Sequence, residues 1–269
     1  MAARKTRILC LHGMGTSGSI FNSQTSSFRP LLSDLDIEFN FIDAPYLSAP
    51  APGVDLFFDP PYYCFWPEAT VEAVRAARTW LNDLVARTGP YDAVMMFSQG
   101  CSLGASAFLL HQAETPHLPP PFKAAIFICG GAPLPTLESL GFEIPQSVWD
   151  RERASRKELA EQADSAAILA RGAARWAGTD DSSVISEEET RKEIQGPYKI
   201  PVPTVHIYGS KDPRYVAGIH LSGLCDASKR KTYNHGGGHD IPRKTDVSQT
   251  IADLVRWVLA EAGVVSTAK

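Results

Sequence analysis

The stretch AVMMFSQG, residues 93–100, decides how the fold of this sequence is interpreted. Its first five residues form a continuous apolar run, which is typical of a buried parallel strand. Ser-Gln-Gly ends that run, and a helical pattern follows over residues 100–113. A strand, a sharp turn and a helix in this order is the context that exposes the serine of a G-x-S-x-G motif. The stretch therefore predicts a candidate nucleophile at Ser98.

The motif departs from its usual form at Met96, which stands where the first glycine is expected. A small residue at that position lets the turn pack closely against its neighbours. Methionine is larger, but it is flexible and adapts to irregular spaces. Ser98 thus has two interpretations at this point: an activated nucleophile, or an ordinary serine at the end of a strand.

Short apolar segments on both sides of this stretch extend the same pattern. Helical periodicity appears between them, over residues 71–87 and 247–262. Strands that alternate with helices predict a doubly wound, mostly parallel sheet flanked by helices. The 269 residues suit one large α/β domain, which we expect to span residues 1–269. The further predicted strands are residues 7–11, 38–43, 124–129, 204–208 and 231–233.

One region, residues 134–198, contains no strand pattern and interrupts the alternation. It holds a helical stretch and then an acidic, polar segment. We expect a helical cap inserted into the domain. Two arrangements remain open: a lid over the functional site, or additional helices on one face of the sheet.

Composition excludes several functional classes. The net charge of −4 gives no broad basic surface for nucleic acid. No stretch is long enough to span a bilayer, and the apolar run near the N-terminus is too short for a signal peptide. The five cysteines are scattered and form no C-x-x-C pair, which predicts reduced thiols and a cytoplasmic protein.

Two residues further along the chain supply partners for Ser98. Asp212 follows the predicted strand 204–208, and His239 follows the last predicted strand. Side chains in loops after parallel strands reach the crevice above the sheet. The order serine, aspartate, histidine is that of the α/β-hydrolase fold. The sequence therefore predicts this fold, with Ser98, Asp212 and His239 as its catalytic residues.

The same fold requires two backbone N–H groups that stabilise an oxyanion. Gln99 supplies one by its position after the serine, and Met14, in the loop after the first strand, supplies the other. A metal pair of His235 and His239 is disfavoured, because three glycines between them prevent a dependable helix. We therefore expect neither a metal nor an organic cofactor.

The loop after the first strand also supports a rival interpretation. Residues 13–18 read G-x-G-x-x-G, and Asp43 ends the next strand, where a ribose-binding acid is expected. This pattern is that of a dinucleotide-binding oxidoreductase. Against it, the residues after Gly18 form a poor helix start, and the interpretation leaves Ser98 and His239 without a role.

Residues 56–68 are rich in aromatic side chains and contain two consecutive prolines. The prolines argue against a regular element. An exposed loop of this composition would be costly, so its rings either pack in the core or line an apolar pocket. The candidate substrate-binding residues are Tyr62, Tyr63, Phe65 and Trp66.

Several motifs together resemble one family. They are CLHGMGTSGSIFNSQ at residues 10–24, PYYCFW at 61–66, FSQG at 97–100, HIYGSKDP at 206–213 and GGGHDIP at 236–242. This set resembles the fungal FSH family of serine hydrolases, some of which are thioesterases that release products from polyketide synthases. The resemblance extends from about residue 7 to the C-terminal helix and matches least over residues 134–198.

The resemblance implies an enzyme that hydrolyses an acyl thioester or ester through Ser98, Asp212 and His239. It also implies a small acyl substrate, with an acyl carrier protein as the candidate partner and a pocket bordered by the Tyr62 segment. Three alternatives stay open. They are a carboxylesterase or C–C hydrolase acting on a secondary metabolite, the dinucleotide enzyme, and a non-catalytic binding module of the same fold.

Overall fold

The protein is described from a computed structural model that covers residues 4–162, 165–172 and 186–265. Eight strands are present in these residues, and six of them correspond to the strands predicted from the sequence. They are β1 Thr6–Leu11, β2 Ile37–Ile42, β3 Tyr46–Ser48, β4 Tyr62–Cys64, β5 Ala93–Phe97, β6 Ala124–Ile128, β7 Thr204–Tyr208 and β8 Arg230–Asn234.

Six strands form one sheet in the order β2-β1-β5-β6-β7-β8, and every pairing in it is parallel. The prediction of a mostly parallel sheet flanked by helices is thereby confirmed. The helices in the described part of the chain are α1 Gly18–Gln24, α2 Val71–Thr88, α3 Gln99–Glu114, α4 Leu134–Ser139, α5 Gln146–Gln162, α6 Ser165–Arg171, α7 Glu187–Thr190, α8 Tyr215–Gly223 and α9 Thr245–Glu261.

The central strands β5, β6 and β7 are buried along their whole length. Their alternating side chains therefore enter two apolar cores, one on each face of the sheet. Within the pairing, Met96 of β5 lies between Leu11 of β1 and Phe127 of β6. The residue that follows β5 consequently emerges at the centre of the carboxyl edge of the sheet.

The aromatic stretch contains a strand, so the expectation that its prolines prevent a regular element was wrong. β4 begins at Tyr62, directly after the prolines, and pairs antiparallel with β3. The prolines lie outside the paired residues and therefore remove no hydrogen bond from the hairpin. A further bridge joins Thr16 to Tyr63 and ties the hairpin to the loop after β1.

The residues after Gly18 do form a helix, contrary to the expectation of a poor helix start. The hydroxyl of Ser17 accepts a hydrogen bond from the N–H of Ile20, which is a conventional N-cap. Gly18 and Ile20 are buried in this first turn, so packing supports a segment whose composition is not strongly helical.

The predicted insertion, residues 134–198, contains α4, α5, α6 and α7 in its described part. Residues 163–164 and 173–185, which include most of the polar segment before α7, lie outside the described residues. α5 carries the charged stretch that the periodicity predicts as helical. Across the described ranges, no helix combines the length and apolarity needed to cross a bilayer.

Candidate active site

Ser98 lies at the turn between β5 and α3 with an unusual backbone conformation. Its φ and ψ are 51° and −112°, in a region that residues with a Cβ rarely adopt. The N–H of Ser98 donates to the carbonyl of Ile128 at 3.1 Å, which holds the turn against β6. A Cβ on Gly100 would lie 2.5 Å from the carbonyl oxygen of Leu11, so the turn requires glycine there. Strain of this kind is concentrated at functional sites.

Met96 is fully buried, and its side chain fills the space beside the neighbouring helix α3. A Cβ placed on Gly104 of α3 would lie 2.1 Å from the Met96 sulfur. The glycine missing from the strand side of the motif is thus offset by a glycine in the helix that packs against it. The turn has the required geometry despite the departure at Met96.

Three side chains from separate loops converge at the carboxyl edge of the sheet. His239 Nε2 lies 3.1 Å from the hydroxyl of Ser98, and His239 Nδ1 lies 2.7 Å from Asp212 Oδ2. Ser98 follows β5, Asp212 follows β7 and His239 follows β8. A serine hydroxyl in this arrangement can pass its proton to the imidazole, while the carboxylate holds the ring.

The carboxylate of Asp212 is almost completely buried and has a second fixed contact. Its Oδ1 accepts a hydrogen bond of 2.8 Å from the backbone N–H of Arg214. With Oδ2 bonded to His239, both oxygens are held in position. The carboxylate is therefore oriented before any ligand is present.

His12 supports the loop that contains Met14. Its Nε2 accepts a hydrogen bond of 3.0 Å from the N–H of Ala44, and its Nδ1 lies 2.7 Å from the carbonyl oxygen of Gly13. Burial lowers the pKa of His12, which favours the neutral ring that these two contacts need. His12 consequently acts as a brace for the loop.

Asp43 has a structural contact that differs from the role in the dinucleotide interpretation. Its Oδ1 accepts a hydrogen bond of 2.8 Å from the N–H of Gly18, the first residue of α1. This N–H is one of the helix-terminal donors that a pyrophosphate would use in a dinucleotide fold. The N–H of Gly18 therefore already donates to the carboxylate of Asp43.

A cavity of about 770 Å³ opens beside Ser98 and His239. Met14 and Gln99, the candidate oxyanion residues, also line it. Most of its wall is apolar, and the segment before β4 and the helices α5 and α6 contribute part of it. The principal apolar lining residues are Phe57, Phe58, Trp66, Phe97, Leu159 and Ile168.

Of the four aromatic candidates for substrate binding, Trp66 lines this cavity, whereas Tyr62, Tyr63 and Phe65 are not among its lining residues. Phe65 is fully buried and packs against the rings of His12 and Trp80. The hydroxyl of Tyr62 donates to the carbonyl of Phe58, and Tyr63 packs on the larger apolar core. The β4 pairing sets which side chains face inward, and the sequence alone does not show that pairing.

Sequence reasoning also missed a buried ion pair beside the site. Arg214 Nη1 and Nη2 lie 2.7 and 2.9 Å from the carboxylate oxygens of Glu152 on α5. Burial opposes the ionisation of Glu152, but the Arg214 guanidinium outweighs it and lowers the pKa of this carboxyl. Arg214 is two residues after Asp212, and its partner lies 62 positions away, so no local signal identifies the pair.

The sulfur of Cys129, Asp212 and His239 offer ligand atoms within 4.8 Å of one another. A soft cation such as Zn²⁺ is the ion that this donor set suits. Burial, with nearby Asp212 and Asp240, raises the pKa of the Cys129 thiol well above its usual value, which disfavours the thiolate a metal needs. Within the described ranges, His235 belongs to no cluster of candidate metal ligands. Burial lowers the pKa of its imidazole to about 4.

Comparison with known proteins agrees with this architecture. Among solved structures, a carboxylesterase from Mesorhizobium loti aligns with a TM-score of 0.51 at 12% identity, covering 94% of this chain and 90% of the other. Mouse alpha/beta hydrolase domain-containing protein 10 aligns with a TM-score of 0.50 at 14% identity, covering 96% and 92% of the two chains. These likenesses support the fold. The chain thus has the α/β-hydrolase fold.

The family follows from sequence comparison. A family described as serine hydrolase (FSH1) matches residues 1–251, and the chain belongs to this family. Esterase FPY3 of Fusarium mangiferae is 31% identical over 94% of both chains. Esterase alnB of Emericella nidulans is 29% identical over 94% of this chain and 96% of its own. The protein is accordingly a member of a serine hydrolase family, and the resemblance noted from the motifs is confirmed.

Proposed function

We propose that the enzyme hydrolyses an acyl ester or thioester of a polyketide-type small molecule through a covalent intermediate on Ser98. The observation that carries the proposal is the continuous contact from Ser98 to His239 to Asp212, with distances of 3.1 and 2.7 Å. Each hydrogen bond joins atoms that must exchange or stabilise a proton during acyl transfer.

In the proposed mechanism, Ser98 Oγ attacks the substrate carbonyl while His239 Nε2 takes the hydroxyl proton. Asp212 stabilises the imidazolium that forms. The N–H groups of Met14 and Gln99 stabilise the oxyanion. The protonated histidine then gives its proton to the leaving alcohol or thiol, which leaves the acyl group on Ser98. Water, activated by His239, releases the acid and restores the serine.

The cavity supports an acyl group with a substantial apolar part. Its volume of about 770 Å³ and its ring-lined wall exceed what a short acyl group such as acetyl requires. Ester and thioester substrates place the same carbonyl at Ser98, so both belong to the proposal. An acyl carrier protein is the proposed donor of a thioester, on the basis of the family resemblance.

The inserted region, residues 134–198, is proposed to act as a cap within a single domain. Leu159 of α5 and Ile168 of α6 line the cavity, which supports this role. The Glu152–Arg214 ion pair joins α5 to the loop that carries Asp212. In the same proposal, the enzyme works in a reducing compartment such as the cytoplasm, because all five cysteines are free and buried.

The test uses pairs of substrates that share one acyl chain. Octanoyl p-nitrophenyl ester and octanoyl N-acetylcysteamine thioester are compared with their acetyl counterparts, on wild type and Ser98→Ala. We expect kcat/KM to rise with chain length and to fall at least 10³-fold in Ser98→Ala. A fall of less than 10³-fold in Ser98→Ala would refute the mechanism. A loaded carrier protein that reacts no faster than the N-acetylcysteamine thioester would refute the carrier as donor.

A further inference from the structure

We propose that the side-chain amide of Gln99 is a positioning residue that sets the distance between the two oxyanion donors. This inference rests on the proposed function, since it concerns the same oxyanion. The backbone N–H of Gln99 is one donor, whereas the proposed role of its side chain is separate. That side chain joins α3 to Phe65 and Trp66, which directly follow strand β4, and β4 in turn is bonded to the loop of Met14.

The two donors belong to segments that are far apart in the chain. Met14 lies in the loop after β1, and Gln99 begins α3. An oxyanion hole needs both N–H groups at about 3 Å from one oxygen atom. Their relative position must therefore be fixed by something that contacts both segments, and residues 62–66, which begin with β4, contact both.

Tyr63, the middle residue of β4, is bonded to the Met14 loop through its backbone. The N–H of Gly15 donates to the carbonyl of Tyr63 at 2.9 Å, and the N–H of Tyr63 donates to the carbonyl of Thr16 at 2.7 Å. Met14 directly precedes this pair of hydrogen bonds. A shift of β4 would consequently move the Met14 N–H.

The two residues directly after β4, Phe65 and Trp66, are bonded to the side chain of Gln99. Oε1 accepts a hydrogen bond of 2.9 Å from the N–H of Phe65, and Nε2 donates one of 2.8 Å to the carbonyl of Trp66. Phe65 and Trp66 are buried, so each backbone group would lack a partner without the amide. The contact requires one acceptor and one donor on the same planar group, which an amide supplies.

The same two hydrogen bonds also hold the cavity wall. Trp66 lines the cavity beside Ser98, whereas Phe65 points into the core against His12. His12 in turn braces the Met14 loop through Ala44 and Gly13. Gln99 therefore acts on the loop by two routes, through the backbone of β4 and through the Phe65–His12 contact.

Three variants test this role. Gln99→Leu removes both side-chain hydrogen bonds. Gln99→Glu keeps the size of the side chain, and its neutral carboxylic acid can reproduce both contacts, whereas its carboxylate has no donor for Trp66. Gln249→Leu is the matched control, because it removes an exposed side-chain amide that donates to Asp253 on the same helix, α9.

The measurements are kcat and KM on the octanoyl ester, and deuterium exchange of the peptide that covers residues 62–68. In Gln99→Leu we expect kcat to fall roughly 10- to 100-fold, because a misplaced oxyanion donor costs about this much. KM should change less than threefold, and exchange in residues 62–68 should be faster. Gln249→Leu should match wild type in kcat, in KM and in the exchange rate of residues 62–68.

The pH dependence separates positioning from general damage. We expect the ratio of kcat in Gln99→Glu to kcat in wild type, taken at the same pH, to rise as pH falls from 8 to 5. Below its pKa the glutamic acid side chain regains its donor, and above it a negative charge lies near the developing oxyanion. A ratio that stays constant over this range would overturn the proposal.

Two other results would also contradict it. They are a kcat in Gln99→Leu within twofold of wild type, and unchanged exchange in residues 62–68. The exchange measurement does not depend on turnover. A wild-type protein without activity at Ser98 would therefore refute the proposed function, while the exchange rates still decide whether Gln99 holds β4.

Discussion

The sulfur of Met96 occupies the space that a Cβ on Gly104 would need, with only 2.1 Å between them. The two residues lie on β5 and α3, on either side of the Ser98 turn. A methionine in place of the usual glycine is accommodated because the opposing helix carries a glycine there. The large side chain on β5 is matched by the small residue on α3, so the Ser98 turn keeps its geometry.

This relationship predicts a coupled effect on stability. Gly104→Ala should destabilise the wild type by about 1–3 kcal/mol, because the added methyl overpacks a filled site. In a Met96→Ala background the same substitution should be neutral or stabilising, since alanine is the better helix former. Urea unfolding of the two single variants and the double variant measures the coupling. Additive effects of the two substitutions would contradict the packing explanation.

Asp212→Asn should reduce kcat by about 10³- to 10⁴-fold while the protein stays folded. The amide is nearly isosteric, but it cannot stabilise an imidazolium as a carboxylate does. KM should change little, because Asp212 is covered by His239 and lies behind the cavity wall. Steady-state kinetics with a circular dichroism control measure this. Activity within tenfold of wild type would exclude Asp212 as the acid of the site.

The Glu152–Arg214 pair should contribute strongly to stability. Glu152→Gln leaves the buried guanidinium of Arg214 without its anion, and we expect a loss of about 3–5 kcal/mol in the free energy of unfolding. Lys157→Met on the same helix breaks an exposed ion pair with Glu161 and should cost less than about 0.5 kcal/mol. Equal effects of the two substitutions, measured by urea unfolding, would contradict this account.

His235 should make the protein sensitive to acid. Burial, opposed by Asp212 and aided by His239, lowers the pKa of His235 from 6.5 to about 4. Between these values the unfolded chain binds the proton and the folded one does not, so stability falls as pH decreases. A fall in pH through this whole range corresponds to a loss of about 3 kcal/mol in the free energy of unfolding.

His235→Gln should remove this part of the acid sensitivity. Its amide can accept the hydrogen bond that Gly237 donates to His235. Unfolding in urea at pH 7 and pH 4.5 should show a smaller loss of stability in the variant than in wild type. Buried His12, His206 and His220 also have lowered pKa values, so part of the loss should remain. An identical loss in both proteins would exclude a contribution from His235.

Local patterns were sufficient to predict the sheet and the three residues that converge on it. The strands 93–97 and 204–208 have the predicted bounds, because a short run rich in apolar and β-branched residues that is bounded by turn residues favours a strand. Ser98 directly follows β5, and Asp212 and His239 lie in the loops after β7 and β8. Parallel strands bring such positions together at one edge.

Features that depend on distant contacts could not be predicted. β4 exists through its pairing with β3 and with Thr16, and that pairing decides that Trp66 faces the cavity while Phe65 enters the core. The Met96–Gly104 packing and the Glu152–Arg214 pair likewise join separate elements. No propensity or spacing within one segment encodes these contacts.

The central claim is that Ser98 is an activated nucleophile, and covalent labelling tests it most directly. Intact-protein mass is measured after treatment with a fluorophosphonate, on wild type, Ser98→Ala and the control Ser228→Ala, which alters an exposed serine bonded to Asp226. We predict a single adduct on wild type and Ser228→Ala and none on Ser98→Ala. An adduct that persists in Ser98→Ala, or a folded wild type that remains unlabelled, would contradict the account.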